Sequence, residues 1–298
     1  MKRLLSLLLG IVILLSQISF SVLAETESSS DADDTTELKT LAFPNADGGG
    51  MYASGGRGGD VYVVTNLKDY EEKGTKIKGS LRYGLEGSNR IIVFNVSGNI
   101  ELKGPLTVRN KSNITLAGQT APGGGITLTG YQTYFTGCQN IIVRYMRFRT
   151  GAKNILNGDS MDAICARRCS NVIFDHLSTS WSTDETMSVY QNTDTTVSYC
   201  IISESLAMSG HSKGRHGYGA IWGGLNASFH HNIVASHVSR CPRASDGYGG
   251  VTDTGNVVGE ESANRIGVVD IRNNVFFDWN DYSLYGGGWS KTNVINNY

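Results

Sequence analysis

The chain has 298 residues and a formal net charge of −1, which supplies no long-range field to gather nucleic acid or any other polyanion, so an acidic ligand must be held by local cations. With 37 glycines against 4 prolines, short β-branched runs and repeated asparagines, the composition favours many brief strands and tight turns over helices. Five cysteines is an odd number, which leaves at least one thiol unpaired in an exported protein; none has zinc-finger spacing.

Met1-Lys2-Arg3, the apolar run from Leu4 to Leu15 and the small-residue stretch ending Ser21-Val22-Leu23-Ala24 form the three-part pattern of a secretory signal peptide over residues 1–24. The apolar run is short for a membrane span of about 20 residues, so the expectation is a secreted protein with no membrane attachment after cleavage. Residues 25–38 are acidic, rich in Ser and Thr and free of aromatics; they read as a solvated linker. Residues 39–298 are long enough for one large core and show no convincing apolar period near 3.6.

A repeat emerges when short runs are stacked. Asn113-Ile114-Thr115-Leu116, Asn140-Ile141-Ile142-Val143, Asn171-Val172-Ile173-Phe174, Thr195-Thr196-Val197-Ser198 and Asn226-Ala227-Ser228-Phe229 follow at spacings of 27, 31, 24 and 31 residues, and Asn293-Val294-Ile295-Asn296 returns later. A second echo follows each run: Tyr145-Met146-Arg147-Phe148, His176-Leu177-Ser178, Tyr199-Cys200-Ile201-Ile202, His231-Asn232-Ile233-Val234 and Asn273-Asn274-Val275-Phe276. Irregular spacing in the mid-twenties is what a solenoid produces when each coil carries at least two strands and one loop of variable length. Asparagines at a coil corner can satisfy one another from coil to coil. A strict six-residue period or propeller blades of about 40 to 45 residues would look different. The last segment, 293–298, starts a coil and stops, so the sequence reads as an all-β solenoid lacking its C-terminal coils.

The segment Gly55-Gly56-Arg57-Gly58-Gly59-Asp60-Val61 lacks the Gly-Lys-Ser/Thr ending of a phosphate loop. Together with Gly118-Gln119-Thr120-Ala121-Pro122-Gly123-Gly124-Gly125, then Asp162-Ala163-Ile164, then Asn171-Val172-Ile173-Phe174-Asp175-His176, then His230-His231-Asn232 and Arg240, it resembles the pectate lyases of polysaccharide lyase family 1 in order and spacing, over about residues 42–298. The resemblance implies a right-handed parallel β-helix that cleaves acidic plant cell-wall polysaccharide (pectate or pectin) by β-elimination, working as a monomer, with calcium as cofactor and no nucleic-acid partner.

The chemistry explains the residues. The proton to be removed lies on C5 beside a carboxylate whose charge opposes carbanion formation, and calcium, a hard ion with several oxygen ligands, suits the neutralising task. Asp162, Asp184 and Glu185 are the candidate metal ligands, from adjacent coils, with Asp159 a weaker one. The resemblance places Asp162 on a family calcium ligand and Trp181–Ser188 on the next ligand-bearing coil; where the best-known members carry a further carboxylate about four residues on, this chain has Ser188. Ser239-Arg240-Cys241-Pro242-Arg243 resembles the family's Arg-Pro-Arg segment, which makes Arg240 the base and Arg243 a ligand for the substrate carboxylate. An ordinary arginine pKa above about 12 makes such a base unusual; what it needs is geometric reach to the C5 hydrogen. Lys213, on the Gly-rich loop His211–Gly219, is placed to hold a second uronate carboxylate.

All six histidines fall between His176 and His237, which suggests zinc at first sight; the resemblance instead makes His176, His230 and His231 structural. Arg144, Arg147 and Arg149, interleaved with Tyr145 and Phe148, read as one strand facing a polyanion or solvent. Cys165 and Cys169 are spaced to approach each other across a turn. The rival activities are a pectin lyase on methyl-esterified chains, a glycoside hydrolase using a carboxylate pair such as Asp184 and Glu185, and a non-catalytic glycan-binding β-helix.

Overall fold

The computed structural model describes residues 39–155, 160–245 and 266–298. The signal peptide and linker expected over residues 1–38, and Asp159, lie outside the described residues.

Short strands pair in parallel with their counterparts one coil earlier and later, and none of the sheet pairings is antiparallel among the described residues. The chain therefore winds as a β-helix, right-handed by the general rule for parallel crossovers. Each coil holds three strands, one more than the two echoes visible in the sequence. The first sheet contains Arg90–Phe94, Ser112–Ala117, Gln139–Arg144 and Ser170–Asp175. The second contains Gly98–Glu101, Ile126–Thr129, Met146–Arg149, Ser178–Ser180, Ile201–Ser203, Ile233–His237 and Val275–Trp279. The third contains Leu106–Arg109, Thr133–Thr136, Ile164–Arg167, Arg243–Ala244 and Tyr285–Gly286. Met187–Ser198 and Ile221–His230 are long enough to bend from the third sheet into the first.

Register stacks like on like. In the first sheet Ile92, Leu116, Val143, Phe174, Val197, Phe229 and Ile271 are successive Cα partners, and all seven are buried. In the second sheet Ile100, Leu128, Phe148, Thr179, Ile202 and Val234 do the same. An apolar side chain buried in this way contributes about 1.5–3 kcal/mol relative to exposure; the first-sheet ladder is apolar from Ile92 to Ile271, and Thr179 is the one polar rung in the second. Among the described residues one short α-helix, Leu81–Leu85, is capped by Ser80, whose hydroxyl accepts from the Tyr83 N–H at 3.3 Å, and it drops Leu81 and Leu85 into the same core.

The corners between strands are made by residues at positive φ: Asn113, Asn140, Asn171 and Asn226 at one, and Tyr145, His176, Tyr199 and His231 at the next. Asparagine tolerates this conformation because its short side chain bonds locally. Asn113 Nδ2 donates to Asn89 Oδ1 at 2.7 Å and Asn140 Nδ2 to Asn113 Oδ1 at 3.0 Å, so the ladder expected at the corner is present. A second, buried ladder runs from Asn232 to Asn274 at 3.0 Å and on to Asn297 at 2.9 Å. At the other corner the rings of Tyr145, His176, Tyr199 and His231 stack at 4.7, 5.2 and 4.8 Å between centroids, which gives His176 and His231 a structural occupation.

Two readings change. Tyr145 at φ 56° breaks the presumed arginine strand into two, one in the first sheet and one in the second. Arg144 is then held by Asp175 at 2.8 Å and by the Phe43 ring, Arg147 by Thr127 and the Gly124 carbonyl, and Arg149 by Ser178, so they brace the coils instead of forming one charged face. All five cysteines are buried and free, and Cys165 and Cys169 are not joined; the αL residue Arg168 between them turns Cys169 toward the equivalent position of the coil before, where it meets Cys138.

Candidate functional site

The connections from the second sheet to the third leave the solenoid as loops of unequal length and re-enter it just before the third-sheet strands. Asp162 lies two residues before Ile164–Arg167, Asp184 and Glu185 just before the strand that starts at Met187, Tyr218 before Ile221, and Arg240 before Arg243–Ala244. Backbone bridges Glu185 to Tyr218 and Tyr218 to Ser239 hold these re-entry points side by side on successive coils. The Ala163 N–H donates to the Glu185 carbonyl at 3.1 Å, Tyr218 N–H to Asp184 at 2.9 Å and Gly219 N–H to Ser239 at 3.0 Å. Residues separated by up to 78 positions therefore occupy one short row, because the coil stack sets their spacing and the loop length does not.

Asp162, Asp184 and Glu185 come together, with carboxylate oxygens within 4.8 Å of one another. Asp162 is partly buried; its carboxylate accepts from the Glu185 N–H at 3.1 Å and from the Cys165 thiol. Withdrawal from water, and then the neighbouring Asp184, push its pKa up to about 8. Glu185, 9% exposed, forms an ion pair with Arg240, 21% exposed. The Arg240 guanidinium also lies over the Tyr218 ring, 4.3 Å from its centroid. Asp184 faces two imidazoles, with His216 Nε2 at 2.6 Å from Oδ1 and His211 Nε2 at 3.9 Å from Oδ2.

Three carboxylates thus share one small space and offer hard oxygens as donors, with Arg240 paired to Glu185 and Arg167 acting on Asp162 from further off. That excess of negative charge fits a hard divalent cation such as calcium, with Asp162, Asp184 and Glu185 as the residues that would hold it. Ser188, in the place where a further carboxylate was sought, is buried and its hydroxyl accepts from the Ile221 N–H at 3.0 Å, so it joins two coils of the frame.

Arg243 enters the third sheet opposite Ile221 and Tyr285 and is half-buried. Lys213 is exposed on the loop that carries His211 and His216. Sequence reasoning gave no role in this site to Cys165, His211, His216 or Tyr218. The last three shared the Gly-rich segment that was already singled out for Lys213, so proximity along the chain was the available signal.

No family model matches the chain. A protein of Aspergillus terreus named probable pectate lyase C is 37% identical over 264 residues, covering 87% of this chain and 54% of its own length. The protein of the same name in Emericella nidulans is 38% identical over 266 residues, covering 89% and 53%. The curated relatives are named pectate lyases. The chain spans about half the length of the curated relatives it matches. Among solved structures, the cedar pollen allergen Jun a 1 superposes with a TM-score of 0.52 at 22% identity, over 83% of this chain and 68% of that one. A pectate lyase variant from Xanthomonas campestris gives 0.51 at 15% identity, over 83% and 72%. These two likenesses establish the right-handed parallel β-helix, and the resemblance to pectate lyases extends over nearly nine-tenths of the chain.

Proposed function

We propose that the protein is a secreted, monomeric lyase that cleaves polygalacturonate, the acidic plant cell-wall polysaccharide, by β-elimination. The observation that carries this reading is the Arg240 guanidinium fixed between the Tyr218 ring and Glu185, in one row with Asp162 and Asp184. Two of the curated relatives are named as probable pectate lyases, in keeping with it.

A calcium ion bound by Asp162, Asp184 and Glu185 would neutralise the uronate carboxylate and so lower the cost of negative charge at C5. Arg240, after its guanidinium has given up one proton to solvent, takes the C5 proton in its neutral form; the electron pair left behind forms the C4–C5 double bond as the C4–O bond breaks, and water protonates the departing oxygen. For this the Arg240 side chain must leave Glu185, which is free to release it once its oxygens serve as cation ligands. Arg243 and Lys213 bind and orient the uronate carboxylates on either side of the bond, so that the C5 hydrogen faces Arg240.

The test is absorbance of the unsaturated product when the full mature protein meets polygalacturonate with calcium, with chelator, and with Arg240→Ala in parallel. A calcium-dependent rise that the substitution abolishes is the expected result. A folded protein that produces no rise on low-ester or high-ester pectin overturns the lyase reading in favour of a glycan-binding β-helix; a rise confined to high-ester pectin and indifferent to chelator replaces it with a pectin lyase.

A further inference from the structure

His211 and His216 belong to none of the roles above, yet both are buried, at 4% and 3% exposure, and both turn Nε2 toward Asp184. Two imidazoles and a carboxylate within 4.8 Å would ordinarily raise the question of a second metal. The hydrogen bonds answer it. The Nδ1 atom of His211 accepts from the Lys213 backbone N–H at 3.1 Å, so in the neutral ring the hydrogen sits on Nε2, which lies 2.8 Å from the Ser160 hydroxyl. A ligating histidine needs the reverse, with its outer nitrogen donating and Nε2 bare. The Nε2 atom of His216 is 2.6 Å from a carboxylate oxygen that can only accept, so His216 is a donor as well.

The His216 ring is also fixed on both faces. It stacks on His211 at 3.8 Å between centroids and 5° between planes, and meets Tyr218 at 3.9 Å; Tyr218 in turn carries the Arg240 guanidinium. Its own backbone N–H is tied to the Ala207 carbonyl at 2.9 Å, and Gly217, at φ 105°, crosses so close to Leu206 and Ala207 that a Cβ there would lie 3.0 Å from their backbone. The loop therefore holds the imidazole in one place with its donor aimed at a single oxygen of Asp184.

We infer that His216 is a positioning residue: it donates to Asp184 Oδ1 and so holds that carboxylate beside those of Asp162 and Glu185, pre-forming the cation site from the neighbouring coil. This rests on the calcium reading proposed above. A partner that orients a ligating side chain in this way is worth about 10- to 100-fold in metal affinity.

The experiment is calcium titration by calorimetry of the full protein, its His216→Ala and its His216→Gln variants, with far-ultraviolet circular dichroism and a urea midpoint on each. Glutamine places an amide donor close to where Nε2 stood. The expected result is a loss of about 10- to 100-fold in calcium affinity for His216→Ala and recovery to within about threefold of the parent for His216→Gln. A folded His216→Ala protein that binds calcium like the parent overturns the inference. So does a folded His216→Gln protein as weak as the alanine variant, since the ring would then act by packing alone. Should His216→Ala fail to fold, the glutamine variant decides by the same threshold. A parent protein that binds no calcium removes the cation reading itself, and the inference with it, a result separate from either failure of the variants.

Discussion

Arg240 has a structural role that can be separated from its proposed chemistry. Its guanidinium is the cation that faces Glu185, a side chain only 9% exposed, in a row that already contains Asp162 and Asp184. Removing one partner of a fully buried pair leaves the other as an uncompensated charge and costs about 3–5 kcal/mol; with Arg240 itself 21% exposed, solvent screening brings this down to about 2–3 kcal/mol. Arg240→Ala is therefore expected to lower the urea midpoint without altering its slope, whereas Arg240→Ala combined with Glu185→Gln recovers most of the loss, because the stranded charge is gone. The four-membered cycle of parent, two single variants and the double variant isolates the coupling, expected at about 2 kcal/mol. If calcium occupies the carboxylates, its addition to Arg240→Ala should restore part of the stability and none of the activity. A single variant as stable as the parent, or a double variant as unstable as Arg240→Ala, would refute the argument that Glu185 depends on Arg240.

Two further outcomes follow from the frame. His237 is buried, with its ring between Ser205 Oγ at 2.8 Å and the Ile202 carbonyl at 3.1 Å, and burial holds its pKa down to about 4. The unfolded ring, with a pKa near 6.5, takes up its proton first, so the neutral folded form contributes fully above about pH 6.5 and the contribution is lost as pH falls toward 4. That amounts to about 2 kcal/mol between pH 7 and pH 5. Urea unfolding at the two pH values should show this slope in the parent, and an equal slope in His237→Gln would count against it. Gly50 lies where a Cβ would come within 2.1 Å of the Val172 carbonyl oxygen, while its own N–H donates to Thr196 at 3.0 Å. Gly50→Ala must lift the segment off the first sheet, at about 1–3 kcal/mol, with faster amide exchange at Gly50; unchanged exchange and stability would show that the segment can yield.

The solenoid was legible because its signals are local and recur. An asparagine before a β-branched run sets a corner, and the return of that pattern after about one coil is the stacking itself, since in-register parallel strands place residue types above their own kind. Asp162, Asp184 and Arg240 were legible on other grounds, the resemblance of their segments to pectate lyase motifs and the oxygen donors that a hard cation needs. The third strand of each coil was hidden: Thr133–Thr136, Ile164–Arg167 and Arg243–Ala244 are short and follow loops of variable length, which erase any period. Tyr145 shows the same limit, for a left-handed φ at a tyrosine carries no compositional mark, yet it divides three arginines between two sheets. The pairings of His216 with Asp184 and Tyr218 with Arg240 join one coil to the next, that of Arg240 with Glu185 reaches across the coil between them, and their partners lie up to 55 positions apart with no common spacing. Local pattern determined which residues could do chemistry; the stacking of coils, which fixes distance across the solenoid regardless of loop length, decided which of them meet.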